Sequence, residues 1–246
     1  MYNYLMKIDG RVIAEKIYAD LRNRVGELSK NNVTPTLAVV LIGNDPGSVS
    51  YVAQKEKHAK NIGVALQVDR LPTTVTEEQL QTLIDRYNTD TTTHGIIVQR
   101  PSPKQITKEF LDHAVIPEKD VDGFHPDSPF TAPVALGVLY ILKSIGLDVP
   151  HLSSKKIVIL GRGETAGQPI AQAFTKLGIP IEVLHSQSNI DNPLKTLYTL
   201  QAADIIISCV GKGRVVKKED LKLGVILVGV GGMPQAGLTV GPQFGD

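Results

Sequence analysis

The sequence is poor in cysteine, in long apolar runs and in net charge. Its single cysteine, Cys209, excludes an internal disulfide framework and a cysteine-rich zinc site. Apolar runs such as IVIL at 157–160 fall far short of the roughly 18 residues that a membrane span needs. Lys and Arg number 26 against 25 Asp and Glu, a net charge of +1 that gives no general reason to expect nucleic acid or a membrane as a partner. The N-terminus shows no signal-peptide pattern, so we expect a soluble, cytoplasmic protein.

Apolar runs and helix-like segments alternate along the 246 residues. Strands separated by helices are typical of βαβ units and a parallel sheet. The predicted strands are 36–42, 65–71, 95–99, 157–161, 181–184, 205–208 and 225–228. The predicted helices are 11–28, 47–62, 77–88, 136–144 and 168–177. A loop rich in proline and aspartate, 115–133, divides the two series, so the sequence predicts an α/β fold with two lobes that meet near residues 130–145.

The first candidate site lies in the segment GNDPGSVSYVAQK, residues 43–55. On a helix from residue 47, Ser48, Tyr51 and Lys55 share one face. A lysine partly removed from water there would have a lowered pKa and could transfer protons. The alternative is an ordinary solvated helix face, which spacing alone favours.

Two further polar positions follow strand-like or loop segments. Gln99 ends the run GIIVQ and could direct its amide into a cleft, or else hydrogen-bond to nearby backbone. In PEKDVDGF, Asp120 and Asp122 precede a glycine, and one aspartate could bind an amidine-like ring edge through two parallel hydrogen bonds. Turn chemistry alone also explains aspartate before Gly123. Neither segment has the spacing of a metal site, and no metal is predicted.

The second candidate site is the segment GRGETAGQP, residues 161–169, between a predicted strand and a predicted helix. Such a turn presents backbone N–H groups to a phosphate. The next strand ends in HSQS, 185–188, rather than in an acid that would repel a 2′-phosphate, which together with Arg162 favours NADP over NAD. The alternative is a structural turn without any dinucleotide.

Taken together, these segments resemble the methylenetetrahydrofolate dehydrogenase/cyclohydrolase family, the bifunctional FolD type. The resemblance runs from IDGRVIAEKI through YVAQK, HGIIVQRP, KDVDG and GRGETAGQP to ADIIISCVGKG, nearly the whole chain. It implies an N-terminal βαβ catalytic (folate-binding) domain at 1–134 and a C-terminal Rossmann-like NAD(P)-binding domain at 135–246. It also implies NADP-dependent oxidation of 5,10-methylenetetrahydrofolate, hydrolysis of the methenyl product to 10-formyltetrahydrofolate, and a homodimer.

The resemblance also assigns roles to residues. Lys55 matches the proton-transferring lysine, Tyr51 the tyrosine that orients it, and Gln99 the glutamine that bonds to it. Asp122 matches the aspartate that binds the pterin ring. These four are the expected catalytic residues, and Ser48 joins Tyr51, Gln99 and Asp122 as an expected substrate contact. The expected cofactor-binding residues are Gly161, Arg162, Gly163, Gly167, His185 and Ser186.

The chain ends at GLTVGPQFGD, where the family continues. Two alternatives therefore stay open at this point. One is a shortened member that retains only cyclohydrolase activity, or that binds folate or nucleotide without turnover. The other is a different NADP-dependent dehydrogenase with a similar two-lobe plan.

Overall fold

The computed structural model of the chain describes residues 8–210 and 216–230. The chain divides into two compact units, one formed by residues 14–132 and the other by the described residues of 8–13 and from 133 onward. None of the helices in this described part is long and apolar enough to cross a membrane.

The bounds of the elements agree closely with the predicted ones. The strands are β1 (Thr36–Ile42), β2 (Ala65–Leu71), β3 (Gly95–Val98), β4 (Ile157–Leu160), β5 (Ile181–Leu184), β6 (Ile205–Ser208) and β7 (Ile226–Gly229). The helices are α1 (Gly10–Lys30), α2 (Pro46–Ile62), α3 (Glu77–Thr89), α4 (Lys108–Ala114), α5 (Pro133–Ser144), α6 (Val149–Leu152), α7 (Gly167–Lys176), α8 (Ser186–Asp191) and α9 (Pro193–Ala202). Of these, α4, α6, α8 and α9 were not predicted. The predicted α/β class with parallel sheets is confirmed.

In the first unit the sheet order is β2-β1-β3, and both pairs are parallel. The central strand β1 is buried on both faces, because alternate residues enter different core clusters. Val40 packs with residues such as Leu80 and Ile84 on one side, and Val39 packs with Val52 on the other. Since β2 and β3 flank β1 on opposite sides, the chain reverses its winding direction at the carboxyl ends of β1 and β3, which is where open α/β sheets bind ligands.

The second unit repeats this arrangement with the order β5-β4-β6-β7, again all parallel. Both faces of β4 are buried, and Ile159 has no exposed surface. The strands β5 and β6 flank β4 on opposite sides, so the winding reverses at the carboxyl end of β4. The glycine-rich segment begins at that point.

Candidate active site

The turn after β1 is shaped by Gly43 and Asp45. Gly43 has φ +75°, and a Cβ atom there would lie 2.6 Å from Thr73 Cγ2, so the position requires glycine. The Asp45 carboxylate caps α2 by accepting a hydrogen bond of 2.8 Å from the backbone N–H of Ser48. This turn starts α2 at the carboxyl edge of the sheet.

Lys55 of α2 reaches the residue that follows β3. Its Nζ donates a 2.8 Å hydrogen bond to Gln99 Oε1. The Gln99 amide is fixed at its other end, where Nε2 donates to the carbonyl of Arg100 at 2.8 Å. The Gln99 backbone N–H donates to Val40 O at 2.9 Å, which ties the residue to β1. Gln99 therefore bonds to nearby backbone, as one of the two alternatives predicted, and its Oε1 also accepts a hydrogen bond from Lys55.

The side chains predicted to share a face of α2 have different environments. Ser48 is buried, with its hydroxyl 3.5 Å from the Arg100 carbonyl oxygen. Lys55 is half-buried. Tyr51 is 60% exposed, so its phenol ring is open to solvent in this structure. The face is not an ordinary solvated one, because it carries a buried hydroxyl and an amine bonded to the side chain of Gln99, which follows β3.

Asp122 lies in a loop that its neighbours hold firmly. The Asp120 backbone bridges to Ile96 of β3, and its carboxylate accepts a 2.7 Å hydrogen bond from the backbone N–H of His125. Gly123 has φ +70°, and a Cβ there would lie 2.8 Å from the Phe130 carbonyl oxygen. Only glycine fits this turn. Asp120 therefore stabilises the loop, whereas Asp122 is half-buried and lies near Lys55.

Burial shifts the titration of both charged groups. It lowers the pKa of Lys55 from 10.5, and the nearby Asp122 carboxylate opposes that shift. Burial raises the pKa of Asp122 from 3.8, while Lys55 and the Arg100 guanidinium act in the other direction. A lysine with a lowered pKa has a larger neutral fraction near pH 7, and a neutral amine can accept a proton.

Arg100 is a buried charged residue that the sequence patterns did not single out. Only 6% of this residue is exposed, and its guanidinium bonds to Asp112 of α4 at 2.7 Å. The sequence offered one sign of a buried ion pair, an arginine between a buried strand and Pro101. Charged residues are rarely buried in proteins unless they are paired.

In the second unit, the glycine-rich turn is tight enough to exclude side chains. A Cβ on Gly167 would lie 2.1 Å from the Gly161 carbonyl oxygen. Gly161 itself has φ +100°, and a Cβ there would lie 3.3 Å from the carbonyl oxygen of Cys209. Gly163 meets no atom within 4 Å, so space does not demand glycine there. A backbone this close to the start of α7 leaves room for a pyrophosphate to approach, which fits a dinucleotide.

The other predicted cofactor residues lie on this turn or after the adjacent strand β5. Arg162 and Ser186 are exposed and His185 is half-buried. Ser186 begins the short helix α8, and the His185 backbone N–H donates to Ser188 Oγ at 3.3 Å. Cys209 follows β6 and is half-buried, and burial raises the pKa of its thiol to about 11, which disfavours the nucleophilic thiolate near neutral pH. Within the described residues, no three His, Cys, Asp or Glu side chains are grouped as a metal site would require.

Comparison with known families covers both units. Residues 8–122 match the model of the tetrahydrofolate dehydrogenase/cyclohydrolase catalytic domain, and residues 132–242 match that of its NAD(P)-binding domain. The chain belongs to the tetrahydrofolate dehydrogenase/cyclohydrolase family. It is 38% identical over 233 residues to the bifunctional protein FolD of Geotalea daltonii, covering 91% of this chain and 80% of that protein.

Solved structures of the family show the same fold. The bifunctional FolD enzyme of Campylobacter jejuni is 31% identical with a TM-score of 0.82, over 94% of this chain and 83% of that one. The Trypanosoma brucei enzyme, solved with NADP and an inhibitor, is 28% identical with a TM-score of 0.83, over 92% of this chain and 79% of that one. Family membership removes the alternative of a different NADP-dependent dehydrogenase with a similar two-lobe plan. The segment GLTVGPQFGD lies outside the described residues.

Proposed function

We propose that this family member catalyses both reactions: NADP-dependent oxidation of 5,10-methylenetetrahydrofolate to the methenyl compound, and hydrolysis of the methenyl compound to 10-formyltetrahydrofolate. The observation that carries the proposal is the 2.8 Å contact between Lys55 and Gln99 near the carboxylate of Asp122. Matches to both family models support a protein with both halves of the activity, and they do not favour a cyclohydrolase-only or non-catalytic member.

In the hydrolytic reaction, the Asp122 carboxylate accepts two parallel hydrogen bonds from the amidine-like edge of the pterin. A water molecule adds to the methenyl carbon and gives a proton to the neutral Lys55 amine. Lys55 then passes that proton to the ring nitrogen as its bond to carbon breaks, and the hydroxyl group of the adduct loses its remaining proton to solvent, which leaves a neutral formyl group on the other nitrogen. Gln99 holds Lys55 in place, and the exposed ring of Tyr51 and the hydroxyl of Ser48 complete the folate contacts.

For the oxidative reaction, we assign NADP binding to the glycine-rich turn and the end of β5. The backbone of Gly161, Gly163 and Gly167 would hold the pyrophosphate, and Arg162, His185 and Ser186 would hold the adenosine side. NADP supplies the hydride acceptor when it is bound. The positive charge of Arg162 and the absence of an acid after β5 support NADP over NAD, which we expect as the weaker cofactor.

The remaining assignments belong to the same proposal. The functional division is a folate-binding domain at 1–134 and a cofactor-binding domain at 135–246. The protein works as a homodimer in the cytoplasm, without nucleic acid or membrane partners and without a metal. The balanced charge supports the absence of nucleic acid and membrane partners, and the single cysteine fits a cytoplasmic protein. Sedimentation equilibrium measures the mass, and a monomer at micromolar concentration would contradict the dimer.

A paired assay of the purified 246-residue chain tests the function. One reaction follows oxidation of methylenetetrahydrofolate with NADP and then with NAD, and the other follows hydrolysis of methenyltetrahydrofolate. We expect turnover in both, with NADP used more efficiently than NAD. Hydrolysis without oxidation would overturn the bifunctional assignment, and silence in both would overturn the function.

A further inference from the structure

A buried arginine, Arg100, directly follows Gln99 of the proposed folate site in the chain. The Arg100 side chain is 4% exposed, so its charge needs compensation within the protein. Its guanidinium bonds to Asp112 of α4 at 2.7 Å, and Asp112 is also paired with Lys108. On its other side, the guanidinium carbon lies 3.8 Å from the centre of the Phe124 ring.

These contacts connect three parts of the site through one residue. Phe124 belongs to the loop that carries Asp122, only two residues away. The Arg100 carbonyl accepts the hydrogen bond that fixes the Gln99 amide, which leaves Gln99 Oε1 directed at Lys55. Arginine suits this position because its planar guanidinium can bond to a carboxylate in its plane and stack on an aromatic ring at the same time.

We propose that Arg100 is a positioning residue for the folate site: its side chain joins α4 to the Asp122 loop, and its carbonyl oxygen fixes the Gln99 amide. This inference rests on the proposed function for its kinetic consequences, but its structural part does not depend on turnover. The charged groups that act on Asp122 are Lys55 of α2, Asp120 of its own loop and Arg100. Asp112 of α4 bonds to Arg100 and is also paired with Lys108 of the same helix.

The sign of the charge effect gives the inference a sharp test. Arg100 favours the ionised form of Asp122, so Arg100→Met raises the pKa of this carboxyl group further above its ordinary value. Asp112→Asn removes a negative charge instead and leaves Arg100 less neutralised, so it moves the pKa of Asp122 downward. Looser packing without a charge effect would not give opposite shifts in these two variants.

The kinetic experiment compares pH profiles of kcat/KM for methenyltetrahydrofolate hydrolysis. Because pterin binding needs the Asp122 carboxylate ionised, the acidic limb should move to higher pH in Arg100→Met and to lower pH in Asp112→Asn. We also expect kcat/KM in Arg100→Met to fall about tenfold through looser placement of the loop. Arg100→Lys keeps the charge and should restore the limb, without restoring the full rate. The control is Arg86→Met, which removes an arginine whose side chain is 62% exposed.

Direct titration separates this inference from the proposed function. The carboxyl carbon resonance of Asp122, assigned by its loss in Asp122→Asn, is followed against pH in wild type, Arg100→Met, Asp112→Asn and Arg100→Lys. Opposite displacements in Arg100→Met and Asp112→Asn support the inference even if the enzyme proves inactive. Identical titration in all variants, or displacement in the same direction, would overturn it. Circular dichroism of each variant at 25 °C establishes that it is folded.

Discussion

The glycine-rich turn yields the most specific prediction, because the space available to one atom is known. A Cβ added at Gly167 would lie 2.1 Å from Gly161 O and 2.7 Å from Gly161 C. An ordinary carbon–oxygen contact needs about 3.3 Å, so Gly167→Ala has to open the turn by about 1.2 Å. The displaced atoms are backbone, which cannot move aside as a flexible side chain would.

This displacement should affect the two reactions unequally. We expect kcat/KM for NADP-dependent oxidation to fall about 10²-fold, the cost typical of a misplacement near 1 Å. The free energy of unfolding should fall by about 1–3 kcal/mol, as for other overpacked sites. Hydrolysis should be retained, because Lys55, Gln99 and Asp122 belong to the other unit.

Two matched alanine variants serve as controls for Gly167→Ala. A Cβ at Gly137 of α5 meets no atom within 4 Å. Gly137→Ala should therefore keep both activities, and its free energy of unfolding should rise by about 0.5–1 kcal/mol. Gly163 lies in the same turn as Gly167, but a Cβ there also meets no atom within 4 Å. Gly163→Ala should therefore lose less kcat/KM for oxidation than Gly167→Ala. Oxidation at the wild-type rate by Gly167→Ala would refute the account of this turn.

Three further predictions concern single residues. Asp122→Asn removes a charged acceptor of two hydrogen bonds, so the KM for methenyltetrahydrofolate should rise about tenfold or more in steady-state assays, and an unchanged KM would contradict its role. Thr92 and Thr93 hold the pKa of Asp90 at about 2 instead of 3.8, so this aspartate stabilises the fold above pH 3.8 and that contribution is lost as the pH falls through about 2. Urea midpoints of wild type and Asp90→Ala should accordingly differ near neutral pH and converge near pH 2; a gap that is independent of pH would argue against this origin. Burial raises the pKa of Cys209 from 9.0 to about 11, so its alkylation by iodoacetamide at pH 8 should be about 10²-fold slower in the native protein than in urea, and equal rates would contradict the burial.

Much of the fold follows from patterns that neighbouring residues carry. The apolar run at 36–42 predicts β1 to the residue, because a strand buried on both faces needs apolar side chains throughout. The short helices α4 and α6 escape prediction because they span seven and four residues, too few for a periodic stripe. Thr107 and Asp148 cap these helices through side-chain hydrogen bonds. In the sequence, each cap is marked by a single residue, which is too little to predict a helix.

Less of the candidate site than of the fold could be predicted from the sequence. Helical spacing places Ser48, Tyr51 and Lys55 on one face, yet it cannot show that Lys55 reaches a residue 44 positions away. The exposure of Tyr51 and the role of Arg100 depend in the same way on tertiary contacts. Resemblance to a family provided the pairing of these distant segments, which periodicity alone could not.

Methenyltetrahydrofolate hydrolysis by Lys55→Met and Lys57→Met tests the central claim, that a half-buried lysine held by Gln99 moves the proton. Both substitutions replace a lysine of α2 by an uncharged side chain of similar length, but Lys57 is exposed. We predict that Lys55→Met loses at least about 10²-fold in kcat, as removal of a general base does. Lys57→Met should hydrolyse the substrate at the wild-type rate. Equal turnover by the two variants would contradict the account.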